Sequence, residues 1–249
     1  MMKLAVVQYH SVKGEISSNI QKHIAIVQKV QHKSPDLIVF PELSLTGYEP
    51  ELAELLAIDE DADILQPLEE ASRKFSVIIC AGIPVRTSGQ IRIGMVILHP
   101  HLPKKFYYKQ FLHPDEEPYF SPGNSPVTLQ YNGHGLSFAI CYEVFAEKHW
   151  QQAIEAKTDI YVASVAKSKK GMEKALTTLE SLSAKNQWTI LLSNSIGPSD
   201  NFTGAGTSSM WDSEGKLQQQ LGHDEEGILL FDTNTGFSEI IRIIDPFNK

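Results

Sequence analysis

Cys141 closes the apolar run Ser137, Phe138, Ala139, Ile140 and stands before a predicted helix from Ala146 to Lys157. A thiol at the end of a rigid strand, beside a helix start, sits where a nucleophile is useful, because peptide N–H groups there are free to meet an anion. The Tyr142 N–H is the candidate donor to an oxyanion forming beside the sulfur. Taken alone, an unpaired cysteine more often serves packing, and Cys80, inside Val77, Ile78, Ile79, Cys80, Ala81, is given that role. Two other segments end an apolar or aromatic approach in a charged side chain. Glu42 follows Leu37 to Phe40 and Pro41, where partial burial would raise its carboxyl toward the range of a general base. Lys109 follows Phe106, Tyr107, Tyr108, so aromatic flanks are placed to hold its ammonium. The plainer readings are an exposed loop glutamate and a strand-end lysine that reaches back to water.

The elements that must position these groups alternate in type. Leu4 to Tyr9 reads as a buried strand and Ile16 to Lys33 as an amphipathic helix, with Ile20, Ile24, Val27 and Val30 at helical spacing. Asp36 to Phe40 suits a second strand, parallel to the first. The acidic stretch from Pro50 to Phe75 is expected as two helical pieces. Val77 to Val85 and Ile91 to Leu98 form a hairpin about Ser88 and Gly89. Pro103 to Pro126 has no clean period and is expected as a long structured loop. Leu136 to Ile140, Ile160 to Val165, Ile190 to Ser195, Thr207 to Trp211 and Gly227 to Phe231 supply further strands, with a helix from Met172 to Asn186. Strand and helix alternation with hairpins predicts an α/β layered domain.

Composition narrows the function. The 249 residues carry a net charge of −8, which argues against a nucleic-acid or anionic-membrane partner. No apolar run reaches membrane-spanning length, and the N-terminal one is too short for a signal core, so a cytoplasmic protein is expected. Two cysteines give no disulfide framework. His99, His101 and His113 lack further ligands at zinc-like spacing, so no metal site is assigned. The run Lys167, Ser168, Lys169, Lys170 reads as a solvated loop, and Gly204, Ala205, Gly206 lacks the ending of a phosphate-binding loop.

Set together, three runs resemble the signatures of the nitrilase (carbon-nitrogen hydrolase) superfamily, in that family's order. They are Phe40, Pro41, Glu42, Leu43 continuing to Thr46, Gly47, Tyr48; Tyr108, Lys109 leading to Pro122, Gly123; and Ile140, Cys141, Tyr142, Glu143. Asn194, Gly204 to Ser208 and Asp212 to Gly215 resemble the family's late strand and turn, so the likeness spans nearly the whole chain. The resemblance implies a four-layer α-β-β-α sandwich forming one domain over residues 1–249, and a Glu42, Lys109, Cys141 triad. It implies a second active-site carboxylate at Glu116, with Glu117 as its neighbour and competitor. It also implies at least a homodimer, no cofactor and a small-molecule amide substrate hydrolysed through a thioester. Nitrile and N-carbamoyl-amine hydrolysis remain alternatives within the family, and a catalytically silent binding protein or a thiol acyltransferase outside it. Tyr48, Phe120, Tyr142, Ser164 and Asn194 are expected to line the pocket. Many relatives carry an arginine shortly after the cysteine, whereas this chain runs Glu143, Val144, Phe145, Ala146, Glu147. Without that guanidinium to clamp a carboxylate, a neutral or cationic amide is the expected substrate.

Overall fold

In the computed structural model, which describes residues 2–243, two β-sheets stack between two pairs of helices. The first half of the chain runs β1 (Lys3–Gln8), α1 (Ile16–Val30), β2 (Leu37–Val39), α2 (Ala53–Leu56), β3 (Ile58–Asp59), α3 (Gln66–Phe75), β4 (Ile78–Thr87), β5 (Gln90–Leu98) and β6 (Lys105–Tyr108). The second half runs β7 (Thr128–Tyr131), β8 (His134–Ile140), α4 (Glu147–Glu155), β9 (Ile160–Val165), α5 (Lys169–Asn186) and β10 (Thr189–Asn194). It closes with β11 (Ile196–Ser199), β12 (Phe202–Ala205), β13 (Ser209–Trp211), β14 (Leu217–Gln220), β15 (Gly227–Asp232) and β16 (Ser238–Arg242).

One sheet is ordered β16-β15-β1-β2-β4-β5-β6, with β3 paired to β4, and the other β14-β13-β10-β9-β8-β7. The strands that lead to Glu42 and Cys141, β2 and β8, lie inside their sheets and pair in parallel with a neighbour, whereas β6, which leads to Lys109, is an edge strand antiparallel to β5. Strand alternation sorts the side chains between two cores. Leu4, Val6, Leu37, Val39, Ile78 and Cys80 face the opposing sheet and meet Phe138, Ile140, Val162 and Leu191. Ala5, Val7, Ile38, Ile79 and Ala81 point the other way, onto Ile20 and Val27 of α1 and Leu68 and Ala71 of α3. Across the molecule, Ala175, Leu179 and Leu182 of α5 cover the second sheet. The layers are therefore α-β-β-α, as the resemblance implies.

One local expectation holds and two need correction. Pro103 to Pro126 is not all loop, because Lys105–Tyr108 pairs with β5 and delivers Lys109 from a strand end. The stretch from Pro50 to Phe75 is helical in two pieces as expected, one of four residues and one of ten, with β3 and a turn of 3₁₀ helix between them. The edge strands β14 and β16 and the β11–β12 hairpin, all short or polar, were not anticipated. No helix among the described residues is long and apolar enough to cross a membrane.

Candidate active site

Each of the three signature residues leaves the end of a strand, and close backbone approaches fix where it leaves. After β2, Phe40 N–H bonds to Cys80 C=O and Leu45 N–H to Gly82 C=O, folding the Glu42 loop over β4. A Cβ on Gly82 would come within 2.1 Å of Leu43 N, so only glycine admits this packing. At the end of β6, Lys109 N–H bonds to Ile93 C=O and Gly123 N–H to Lys109 C=O. A Cβ on Gly123 would lie 2.3 Å from Tyr108 O, which accounts for the glycine of the Pro-Gly pair. Cys141 ends β8 with φ 47°, a left-handed conformation for a residue with a Cβ, and Leu43 beside Glu42 has φ 49°. Each such residue costs about 1–2 kcal/mol, and here the strain sits at the two turns that aim the candidate base and nucleophile.

The side chains converge. Lys109 Nζ donates to Glu42 Oε1 at 2.8 Å and to Glu116 Oε1 at 2.6 Å, and the lysine is fully buried. Glu42 Oε2 accepts from Ala166 N–H at 3.1 Å. Glu116 Oε1 also accepts from Tyr48 OH at 3.0 Å, and its Oε2 from His113 N–H at 2.8 Å. Glu117 is exposed, so the carboxylate on the lysine is that of Glu116. The Cys141 thiol donates to Ala166 C=O at 3.7 Å and feels Glu42, Lys167, Lys109 and Glu116 electrostatically. Tyr142 takes the second position of the 3₁₀ turn Cys141–Phe145, where a backbone N–H has no partner within the turn.

Burial and charge set the protonation states. Burial, then the Glu42 carboxylate, push the thiol up to about 11, and Lys167 and Lys109 only partly oppose them. Burial raises Glu42 above the usual carboxylate range, with Lys109 pulling it back and Glu116 pushing it further up. For Lys109 burial works against the ammonium, but Glu42 and Glu116 outweigh it and its pKa rises. At neutral pH the sulfur thus rests as a thiol, beside a lysinium that bridges Glu42 and Glu116.

Glu143, named in the sequence only as part of the cysteine signature, ties the lysine and cysteine segments together. Its Oε1 accepts from Gln110 N–H at 2.6 Å and Phe111 N–H at 3.3 Å, and its Oε2 from Tyr107 OH and Ile140 N–H, both at 2.7 Å. Burial raises its pKa to about 7 against the pull of those donors. Tyr107 OH also meets His149, whose other ring nitrogen meets Tyr161 OH.

A cleft of about 590 Å³ opens over the sulfur, with Tyr48, Tyr142, Phe145, Lys167 and Phe202 among its walls. Three of the expected pocket residues do not line it. Phe120 is buried in the hydrophobic core. Ser164 Oγ donates to Phe40 C=O at 2.8 Å, joining β9 to the Glu42 loop. Asn194 braces the backbone at Lys167, accepting from its N–H at 2.8 Å and donating to its C=O at 3.2 Å. The reading of Lys167 as solvated is also corrected, since the residue is only 7% exposed. A second groove of about 610 Å³, lined by His10, Lys22, His223 and Glu226, contains none of the signature residues. Among the described residues no cluster of His, Cys, Asp and Glu is arranged to hold a metal ion.

Comparison with known proteins identifies the family and the fold. The family model described as carbon-nitrogen hydrolase matches residues 3–237. A 2-oxoglutaramate amidase of Bacillus subtilis is 27% identical, over 99% of this chain and 97% of that one. A glutamine-dependent NAD(+) synthetase of Aquifex aeolicus is 26% identical over 98% of this chain, but the chain spans only 44% of that protein's length. Among solved structures, an amidase from Nesterenkonia sp. AN1 superposes with a TM-score of 0.85 at 21% identity, covering 93% of each chain, a likeness of fold.

Proposed function

The chain belongs to the carbon-nitrogen hydrolase family, and from that premise we propose that it is a hydrolase of C–N bonds that cleaves a small non-peptide amide through a thioester on Cys141. The observation that carries this reading is the buried Lys109 held by both Glu42 and Glu116, of which Glu116 lines the same cleft as the Cys141 sulfur. A packing cysteine needs no such neighbours. The amidase names of its relatives support an amide substrate.

In this reading the sulfur attacks the amide carbon as Glu42 takes the thiol proton. The carbonyl electrons move to oxygen, and the oxyanion is met by the Lys109 ammonium and the Tyr142 N–H. One such donor is worth about 3–4 kcal/mol in the transition state. Collapse breaks the C–N bond, and the leaving nitrogen takes the proton from Glu42, which leaves the acyl group on sulfur. A water then gives its proton to Glu42 and adds to the thioester, and the acid departs as the thiol is restored. Glu116 holds Lys109 in place, fixed in turn by Tyr48 OH and His113 N–H. No step calls for a cofactor.

Ammonia release from a panel of small amides, nitriles and N-carbamoyl amines tests the assignment. Amides are expected to turn over, with the acyl mass appearing on Cys141 in intact-mass spectra of rapidly quenched samples. Turnover confined to nitriles or carbamoyl amines reassigns the substrate. A protein that releases ammonia from none of them, and whose Cys141 shows no selective labelling by a small electrophile relative to Cys141→Ala, is the silent binding protein instead.

A further inference from the structure

Lys167 is a cation built into the cleft wall without a counter-ion. The residue is 7% exposed, yet among the described residues no carboxylate pairs with its ammonium. Its backbone is clamped on both sides by the Asn194 amide, and its C=O also accepts from Ala205 N–H. Its methylene stem packs on α5 at Gly171, where an added Cβ would meet Lys167 Cβ at 3.3 Å and Cγ at 3.6 Å. Its Nζ lies 4.6 Å from the centre of the Phe145 ring, and Lys174 Nζ sits 4.3 Å from the same ring. The cleft's carboxylates do not answer this charge. Glu116 is bound by Lys109 and Asp115 by the His113 ring, and no ion pair joins Glu173 to either lysine.

Holding a lysine this far buried without a carboxylate partner is costly, and a cation–π contact recovers only part of that cost. A side chain clamped, packed and stacked in this way is pre-organised for an anion that arrives with the ligand. The cleft that Lys167 lines also contains the sulfur. We propose that Lys167 is the receptor for a carboxylate on the substrate, so that the enzyme takes a short amide whose carbon chain ends in a carboxylate. The proposal rests on the amidase reading and deepens it. It reverses the expectation of a neutral or cationic substrate drawn from the missing arginine: a lysine from the loop after β9 supplies the charge instead.

Succinamate, butyramide and 4-aminobutyramide have similar length and differ in the charge at the end away from the amide. The expected order of kcat/KM is succinamate first, by about 10- to 100-fold over butyramide, the range of a charge-assisted hydrogen bond, with 4-aminobutyramide last. In Lys167→Met the succinamate-to-butyramide ratio should collapse toward one, mainly through KM for succinamate. Lys167→Arg should keep the preference, and Lys167→Glu should turn it toward 4-aminobutyramide. The ratio is the readout, because the charge of Lys167 also acts on the thiol and changes absolute rates on every substrate. Calorimetric binding of succinamate and butyramide to Cys141→Ala, with and without Lys167→Met, separates this claim from the amidase reading. Tighter binding of succinamate that depends on Lys167, without turnover by the wild type, sinks the amidase reading alone. Turnover of amides with equal binding of the two ligands, or a preference that survives Lys167→Met, overturns the assignment of Lys167.

Discussion

Glu42→Gln should make the Cys141 sulfur more reactive toward a simple alkylating agent while nearly abolishing amide hydrolysis. In the wild type the thiol is pushed up to about 11 by burial and by the Glu42 carboxylate. At pH 7 a group of that pKa is ionised in about one molecule in ten thousand. Alkylation by iodoacetamide needs only the thiolate, so its rate should climb about tenfold for each pH unit from 6 to 9 without a plateau. Glutamine removes the negative charge while keeping the shape. A neighbouring like charge costs the thiolate about 1.4 kcal/mol or more, so alkylation at pH 7 should rise about tenfold or further. Lys109, released from one of its two carboxylates, acts in the same direction. Amide hydrolysis needs the proton carried from sulfur to the leaving nitrogen, and loss of a general base costs about 10²–10⁴-fold. The assay is pseudo-first-order alkylation followed by intact mass, beside ammonia release from the best amide. If wild-type alkylation is flat between pH 6 and 8, the sulfur rests as a thiolate and this account of the nucleophile is wrong. Alkylation and hydrolysis falling together in Glu42→Gln would refute it as well.

Three further outcomes follow from the same geometry. Lys109→Met strands two buried carboxylates, which costs about 3–5 kcal/mol of stability, so urea unfolding should show a much lower midpoint, relieved in part by adding Glu116→Gln. Glu143→Gln puts an NH₂ toward donors that now meet a carboxylate oxygen; about 2–3 kcal/mol is lost, and calorimetry should show Tm lower by about 4–12 °C at this chain length. His23 is buried among Asn19, Ser44 and Phe40, with burial pushing its pKa down to about 3. The unfolded chain takes up that proton near pH 6.5, so its contribution to stability is whole above pH 6.5 and is lost as pH falls toward 3. Melting temperature should decline on that acid limb, and more shallowly in His23→Gln.

What the sequence revealed was local. Glu42, Lys109 and Cys141 each end an apolar or aromatic approach, and a polar group at the end of a buried run can be seen without knowing its partner. Faces and partners were hidden. Every residue of β9 and β10 is buried, so alternation gave no sign that Ser164 points at the Glu42 loop and Asn194 at the backbone of residue 167. The bridging role of Glu143 depends on Tyr107 and Gln110, more than thirty positions away in the chain. Lys167 was misread because a Lys-Ser-Lys-Lys run looks solvated by composition. Lys169 and Lys170 are exposed, whereas the backbone clamp from Asn194 and packing on Gly171 and Phe145 hold the first lysine inward.

Counting charges around the sulfur explains why the nucleophile rests as a thiol and why Glu42 is the group suited to take its proton. Glu42 and Glu116 share one lysinium, so this buried cluster already carries a net negative charge. Ionising Cys141 would bury a further negative charge beside Glu42, and burial and that carboxylate together outweigh the pull of Lys167 and Lys109, which is the penalty that raises the thiol. Moving the same proton from sulfur to Glu42 leaves the net charge unchanged, since one anion disappears as another forms. Burial has already raised Glu42 toward accepting it. Lys109 contacts both carboxylates at less than 3 Å, so it keeps a partner in Glu116 once Glu42 is neutral. That second carboxylate lets the ammonium turn to a developing oxyanion without being left alone in a dry site, and Glu116→Gln should therefore impair kcat rather than KM.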